Sequence, residues 1–256
     1  MNAPKFLSLP SNMGLAYHKS SAQGDGVNRP GLIFLGGYNS DMTGTKARYL
    51  EDWASKNGAA FIRFDYRGHG VSSGRFQDHC VGDWADDAAE VLQRLAEGPQ
   101  IVVGSSMGGW IALLLAKRFP ERIAGLIGIA AAPDFTQWRW EGFTDAQRKT
   151  IAEEGLIELP SQYSEDPYFY THRLFRDGPD HFVLNQPLPL PIPVRLLHGT
   201  ADPDVPHTLS MRLLEHVTCT DATLTLIKDG DHRLSDPADL DLLGRTVREV
   251  WSKSTR

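Results

Sequence analysis

Cysteine is scarce in this sequence, and long apolar runs and basic clusters are missing. The two cysteines, Cys80 and Cys219, exclude a disulfide framework and a CxxC metal site, so each is expected to be a buried apolar side chain. The longest apolar runs, 107–116 and 123–132, have about ten residues, whereas a membrane span needs roughly 20. The formal net charge of −6 without a Lys/Arg cluster argues against nucleic acid or an anionic membrane as partner. We therefore expect a small-molecule ligand, no integral membrane segment, and neither a metal nor a cofactor.

Strands and helices alternate along most of the chain. Strands are predicted at 6–9, 14–20, 32–35, 60–64, 100–104, 123–130, 192–199 and 222–229, and helices at about 43–56, 81–96, 107–119, 207–217 and 237–251. Such alternation indicates an α/β fold, with a mostly parallel sheet of about eight strands covered by helices on both faces. Ligands of these sheets bind beyond the carboxyl ends of the strands.

The stretch from Gly104 to Gly108 lies where a predicted strand ends and a helix begins. It reads GSSMG and fits G-x-S-x-G, in which a serine occupies a sharp, strained turn and the flanking glycines avoid a steric clash. This spacing selects Ser106 as the candidate nucleophile over Ser105, which we interpret as a space-filling residue. A phosphate-binding loop would need GK[ST] or G-x-G-x-x-G, and neither occurs here.

A serine nucleophile needs a base, and in enzymes with this turn an acid and then a histidine follow it along the chain. Of the later histidines, His198 lies inside a predicted strand, and His207 and His216 lie on the next helix; all three are expected to be structural. His232 lies in the loop KDGDHRLSDP, after the last predicted strand. It is therefore the candidate base.

The acid is expected in the loop after the preceding strand. That loop, HGTADPDVPH, contains Asp202 and Asp204, and Asp-Pro pairs also form turns. We favour Asp202 because it is nearer to the end of the strand, and we interpret Asp204 as a turn-capping residue. The carboxylate would fix the imidazole tautomer of His232.

A tetrahedral oxyanion needs preorganised donors. The backbone N–H of Met107 follows the nucleophile at the start of the helix, where the helix dipole also favours negative charge. The second donor is expected from the loop GGYNSDM after strand 32–35, and we select the N–H of Tyr38. A plain glycine turn is the alternative for this loop.

Residues 133–187 interrupt the alternation and are predicted to form a helical cap, with 1–132 and 188–256 forming the core. The cap segment contains ten aromatic residues: Phe135, Trp138, Trp140, Phe143, Tyr163, Tyr168, Phe169, Tyr170, Phe175 and Phe182. They favour an apolar acyl pocket, and Trp138, Trp140 and Phe143 are the candidate substrate-binding residues. Packing of the cap on the core is the alternative role for each of them.

Together, the serine turn, Asp202, His232 and the segment FDYRGHGVSSG resemble the α/β-hydrolase superfamily over nearly the whole chain. GYNSDMTGTKA, GPQIVVGSSMGGW, LPSQYSE and DHRLSDPADL are similar to the branch that contains a mitochondrial palmitoyl-protein thioesterase, which also cleaves acyl glucuronides. The resemblance implies hydrolysis of esters or thioesters of fatty-acyl groups, including lipid-acylated substrates. It also implies structural roles for Asp65, Arg67 and His69.

Two features differ from that branch or superfamily. No secretory signal and no mitochondrial-type presequence is recognised, so a cytoplasmic location is expected. Gly36 stands where many members of the superfamily have histidine. The expected function is a serine hydrolase with an acyl-enzyme; a C–C hydrolase, a haloperoxidase-like enzyme and a ligand-binding receptor remain alternatives.

Overall fold

A computed structural model describes residues 3–10, 12–161 and 167–254 of the protein. Within these ranges there are twelve strands: β1 (Lys5–Ser8), β2 (Gly14–Ser20), β3 (Gly31–Leu35), β4 (Phe61–Phe64), β5 (Gln100–Ser105), β6 (Ile123–Ile129), β7 (Leu156–Leu159), β8 (Tyr168–Thr171), β9 (Leu188–Pro189), β10 (Val194–Gly199), β11 (Val217–Thr218) and β12 (Ala222–Ile227). The same ranges hold eight α-helices: α1 (Thr45–Asn57), α2 (Val81–Arg94), α3 (Met107–Arg118), α4 (Phe135–Gly142), α5 (Asp145–Glu154), α6 (His172–Asp177), α7 (His207–His216) and α8 (Pro237–Lys253).

Eight of the described strands form one sheet in the order β1-β2-β4-β3-β5-β6-β10-β12. The pairs β1/β2 and β2/β4 are antiparallel, and all the other neighbours are parallel. This confirms the predicted α/β-hydrolase fold class with its mostly parallel sheet. The chain leaves β3 first towards β4 and later returns to its other side at β5. The strand order reverses there, and open α/β sheets bind their ligands beside such a switch point.

The two faces of the sheet bury separate apolar clusters. In β3, Leu32 and Phe34 face α1 and α8, whereas Ile33 and Leu35 face the side covered by α2, α3 and α7. All four are at least 95% buried, and each such side chain contributes about 1.5–3 kcal/mol to folding. Because both faces are covered, the central strands are apolar throughout rather than alternating.

The insertion between β6 and β9 is not purely helical. It contains α4, α5 and α6, but β7 and β8 pair as an antiparallel hairpin between them. Thr144 caps α5 by accepting a hydrogen bond from the N–H of Gln147, and Gly155 ends that helix with a φ of 88°. The strand YFYT then follows the aromatic and β-branched preference of strands. Tyr163 lies outside the described residues.

Asp134 joins the two ends of this insertion. Asp134 has a φ of 55° and is 4% exposed. Its carboxylate accepts hydrogen bonds from the N–H groups of Val183 and Leu184, both at 2.9 Å. Burial raises the pKa of Asp134, and the two N–H groups oppose that rise. The first and last parts of the insertion are therefore held side by side.

Other expectations about the elements can also be compared with the structure. No helix in the described ranges has the length and apolar character needed to cross a membrane. Cys80 is buried, as expected, but Cys219 is only partly buried. The ends of the predicted strands of the eight-stranded sheet, and of the predicted helices that cover it, lie within about three residues of the observed ends.

Candidate active site

Ser106 occupies a strained turn between β5 and α3. Its φ of 55° and ψ of −121° are unfavourable for a residue with a side chain, and such a conformation costs about 1–3 kcal/mol. Hydrogen bonds on both sides hold the turn: the Ser106 N–H donates to the carbonyl of Ile129, and the Ser106 carbonyl accepts from Gly109 and Ala132. Ser106 is partly exposed while its chain neighbours are buried. The turn thus presents this hydroxyl at the edge of the sheet.

The two glycines of the motif are required by close backbone approaches. A Cβ on Gly104 would overlap the carbonyl group of Gly108, as the motif predicts. A Cβ on Gly108 would instead overlap the carbonyl oxygens of Leu35 and Gly36, at the end of β3. The second glycine therefore serves the packing of α3 against the neighbouring strand, which the sequence motif does not reveal.

The structure brings His232 to Ser106 although 126 positions separate them. The His232 Nε2 lies 3.1 Å from the Ser106 Oγ, and the His232 Nδ1 lies 2.8 Å from the Asp202 Oδ2. A neutral imidazole with its proton on Nδ1 can donate to the carboxylate and accept from the hydroxyl. The three predicted residues therefore lie in one chain of hydrogen bonds, with Asp202 rather than Asp204 nearest to the imidazole.

Asp202 accepts two hydrogen bonds on each carboxylate oxygen. Its Oδ1 accepts the backbone N–H groups of Asp204 and Val205, both at 2.9 Å. Its Oδ2 accepts from His232 and, at 3.1 Å, from the His198 Nε2. Burial alone would raise the pKa of Asp202, but the hydrogen bonds from the two imidazoles outweigh burial and hold that pKa well below its usual range. The carboxylate is therefore ionised and held in one orientation.

His198 is a member of this network that the sequence analysis did not identify. The side chain is fully buried, and its Nδ1 lies 2.6 Å from the Ser210 Oγ. If Ser210 donates to Nδ1, the proton of His198 is on Nε2, where Asp202 Oδ2 at 3.1 Å and the carbonyl of Val205 at 3.0 Å share it as acceptors. His198 lies inside a strand whose residues are all buried, so the sequence pattern does not distinguish it from a packed residue.

The same residues offer the one group of possible metal ligands found among the described residues. One atom each from Asp202, Asp204 and His232 lies within 4.8 Å of the others. Both oxygens of Asp202 are already occupied by hydrogen bonds, and a carboxylate has about four acceptor positions. The donor set therefore fits the hydrogen-bonded arrangement better than it fits a cation.

The loop after β3 lies against Ser106. A Cβ built on Gly37 would be 3.4 Å from the Ser106 Cβ, and Tyr38 lines the same cavity as Ser106. Among the described residues, the Tyr38 N–H makes no hydrogen bond. Met107 is the first residue of α3, where an N–H has no partner within the helix. Tyr38 and Met107 thus both lie close to Ser106, and the binding of an oxyanion by their N–H groups stays a prediction.

The Tyr38 side chain fixes this loop to the insertion. Its hydroxyl donates to the carbonyl of Phe169 at 2.5 Å, and its ring stacks on Tyr170. Burial raises the pKa of Tyr38 well above its usual value, so the phenol stays protonated. The backbone of the loop is therefore held from both the core and the cap.

The segment FDYRGHG is held in place by hydrogen bonds, an ion pair and ring contacts. Asp65 accepts hydrogen bonds from two backbone N–H groups, and Arg67 forms an ion pair with the fully buried Asp87 at 2.6 Å. His69 packs edge-on against Trp84 and other rings, and burial lowers its pKa to about 4. These contacts agree with the structural roles that the resemblance implies.

The cavity at Ser106 is small. Its volume is about 200 Å³, and its lining combines Ser106 and His232 with the loop after β3, the start of α1 and the segment after His232. None of the three predicted substrate-binding residues lines it. Phe143 is buried inside the insertion, Trp140 lines a separate cavity of about 350 Å³, and Trp138 is partly buried beside Arg139. Their contact with substrate stays a prediction.

Comparison with known proteins defines the class. Residues 32–241 match the model of the alpha/beta hydrolase family, and the chain therefore belongs to that family. It is 38% identical over 249 residues to the palmitoyl-protein thioesterase ABHD10, mitochondrial, of Bos taurus, covering 97% of this chain and 80% of the relative. The mouse alpha/beta hydrolase domain-containing protein 10 superposes with a TM-score of 0.90 at 37% identity, covering 98% and 99% of the two chains.

A more distant structure shares the fold. Est1E from Butyrivibrio proteoclasticus, solved with ferulic acid, superposes with a TM-score of 0.81 at 20% identity over 98% of both chains. With the closer relatives, the family assignment makes the chain an ester or thioester hydrolase. The location in the names of the relatives is theirs, and the cellular location of this chain stays a prediction.

Proposed function

We propose that the protein hydrolyses acyl thioesters and esters through a Ser106–His232–Asp202 triad and an acyl-enzyme. The observation that carries this proposal is the continuous hydrogen-bonded chain from the Ser106 hydroxyl through His232 to the buried Asp202. This series of hydrogen bonds ends at Ser106, which lies in a strained turn and is partly exposed. Structural strain of this kind is typical of functional sites.

The first half of the reaction follows from these contacts. His232 Nε2 takes the proton of Ser106 as the Oγ attacks the carbonyl carbon, and the carbonyl electron pair moves to the oxygen. The N–H groups of Tyr38 and Met107 stabilise that oxyanion; one such donor is worth about 10²–10³ in rate. His232 then returns its proton to the leaving sulfur or oxygen, which departs and leaves an acyl ester on Ser106.

Water completes the cycle. His232 takes a proton from a water molecule as its oxygen attacks the acyl ester, and a second oxyanion occupies the same donors. Collapse releases the carboxylic acid and returns the proton to the Ser106 Oγ. Throughout, Asp202 keeps its charge and orients the imidazole, because its acceptor positions are filled by fixed donors.

The relatives guide the choice of acyl group. They are named palmitoyl-protein thioesterases, and the aromatic insertion contacts Tyr38 in the loop that follows the carboxyl end of β3. We infer that fatty-acyl thioesters are among the substrates and that the insertion contributes to the binding of the acyl chain. Chain length is the property by which this can be tested.

The test is labelling with an alkyl fluorophosphonate, followed by kinetics of acyl thioesters and p-nitrophenyl esters from C2 to C16. We expect the adduct on the peptide that contains Ser106, and a loss of at least about 10⁴-fold in kcat for Ser106→Ala. The control is Ser105→Ala, because Ser105 is a buried neighbour on the same turn; it should still be labelled and active.

Two outcomes would contradict the proposal. Retention of most of the activity by Ser106→Ala would exclude this nucleophile. A folded protein that is neither labelled nor able to cleave any member of the series would indicate a ligand-binding role instead.

A further inference from the structure

Lys46 is a partly buried lysine that has no role in the proposed reaction. It lies in the first turn of α1, one helical turn before the buried Leu50 on the same face. Its ammonium group donates to the carbonyl of Arg233 and lies 3.5 Å from the Ser235 Oγ. Burial, and after it the nearby Arg233, lower the pKa of Lys46 to about 8.

No carboxylate neutralises this ammonium group. In the part of the chain that the structure describes, no carboxylate oxygen lies within 4.0 Å of the Lys46 Nζ. The acidic groups that act on it or share its cavity are Asp231 before α8, Asp239 on α8 and Asp41 before α1. Each of them accepts a hydrogen bond from a nearby backbone N–H instead. The free protein therefore carries a partly buried cation here that no carboxylate contacts directly.

That cation lies in the cavity of the proposed nucleophile. Lys46, Arg233, Ser106 and His232 line the same space of about 200 Å³. Gly44 and Thr45, at the amino end of the 13-residue helix α1, line it too, and helix amino ends favour negative charge. A space with room for roughly seven water molecules suits a short group rather than a long acyl chain.

We propose that this cavity is an anion subsite, in which Lys46 binds a carboxylate or phosphate carried by the substrate a few bonds from the scissile carbonyl. The proposal rests on the hydrolase function above and concerns the substrate class of the same site. A lysine that only anchored the segment after His232 would be satisfied by the carbonyl and hydroxyl it contacts, and would not distinguish charged from neutral substrates.

Two pairs of matched substrates test the proposal and distinguish the two places where the anion can be. The first pair varies the leaving group: S-acetyl-3-mercaptopropionate against its neutral amide, S-acetyl-3-mercaptopropionamide. The second varies the acyl group: the p-nitrophenyl monoester of glutarate against that of glutaramate. The measured quantity is the ratio of kcat/KM for the charged substrate to that for the neutral one.

The wild-type ratio is expected to be about 10 to 100 in one of the two pairs, the range for one charge-assisted hydrogen bond. Lys46→Met should bring that ratio close to one, and Lys46→Arg should keep most of it. The matched control is Lys56→Met, since Lys56 is an exposed lysine in the last turn of the same helix. It should leave the ratio at the wild-type value.

A pH series gives a second measurement that does not depend on the folding of Lys46→Met. The wild-type ratio should fall as the pH rises through about 8 and the ammonium group loses its proton. Lys46→Arg should keep its ratio to higher pH, because arginine stays protonated. Use of a ratio cancels the titration of groups that affect both substrates equally.

The outcomes separate this inference from the proposed function. A wild-type ratio near one in both pairs, or a ratio that survives in Lys46→Met, would overturn the anion subsite while cleavage of the neutral substrates still supports the hydrolase. Loss of all cleavage together with failure of fluorophosphonate labelling would overturn the hydrolase itself.

Discussion

Asp202 is a residue whose neighbours determine what it can do. Four donors occupy its two oxygens, so rotation of the carboxylate would break at least two hydrogen bonds at once. Each hydrogen bond to a charged group contributes about 1.5–3 kcal/mol. The second imidazole, from His198, therefore helps to hold the acid in the orientation that His232 requires.

This geometry predicts different effects for the two aspartates of the loop. Asp202→Asn should lower kcat by about 10³–10⁴, since an amide cannot hold two imidazole donors as a carboxylate does and favours the wrong tautomer of His232. Asp204→Asn is the matched control and should lower kcat by less than about tenfold. The measurement is kcat of both variants on one thioester, with circular dichroism as the check on folding. An equal loss of kcat in the two variants would show that the acid is assigned wrongly.

Among the elements, the junction of β5 and α3 depends most on the absence of a side chain at one residue. Gly108 faces the backbone carbonyls at the end of β3, and backbone atoms of a central strand cannot move aside as a flexible side chain can. The helix packs against its sheet at this point, so the position of Ser106, the proposed nucleophile, and the stability of the core are coupled.

We expect Gly108→Ala to lower the free energy of unfolding by about 1–3 kcal/mol and to lower kcat as well, because the added methyl group displaces α3. The control is Gly142→Ala. Gly142 is also a helical glycine, but an added Cβ would meet nothing within 4 Å there. It should be neutral or stabilise by up to about 1 kcal/mol. Urea denaturation of both variants measures this, and a Gly108→Ala variant as stable as wild type would contradict the packing argument.

Elements of the sheet were predictable because their patterns are local. Apolar strands next to amphipathic helices identify β3 to β6, β10 and β12 to within about three residues, and Pro120 marks the end of α3. The hairpin of β7 and β8 was not predicted. Its strands have four residues each, and they are recognised only by their pairing with each other.

At the scale of the whole molecule, burial of polar groups makes stability depend on pH. His69 is 3% exposed, and its pKa falls from an ordinary 6.5 to about 4 because burial disfavours its charged form. Below pH 6.5 the unfolded chain binds a proton at this position and the folded protein does not. Stability from His69 is therefore lost as the pH falls from 6.5 to 4, up to about 3 kcal/mol.

The measurement is the free energy of unfolding between pH 7 and 4.5 for wild type and for His69→Gln. The variant is expected to be less stable at pH 7, because it loses ring contacts, but its stability should decline less steeply on acidification. His172→Gln, at an exposed histidine, should keep the wild-type slope. Parallel slopes for wild type and His69→Gln would show that His69 does not contribute to acid sensitivity.

Those residues of the candidate site that directly follow a strand could be predicted from the sequence. Ser106, Asp202 and His232 each follow a different parallel strand, and the carboxyl ends of those strands meet at one edge. His198 and Lys46 were not found, because a buried histidine in a strand and a lysine on a helix resemble ordinary residues. One signal was available for Lys46: the helical period places it on the apolar face of α1 with Leu50.

The bonds that Asp134 makes across the ends of the insertion have a consequence for how this molecule can vary. They keep the two ends of the insertion together beside the sheet, so a change of length inside it need not move the strand ends that hold Ser106 and His232. Tyr38, however, connects the loop after β3 to Phe169 of the insertion. We expect the reaction to depend on the sheet and its loops, and the choice of acyl group to depend on the insertion. A change confined to the insertion is thus expected to alter which substrates are cleaved, because no hydrogen bond of the eight-stranded sheet involves the described part of this segment.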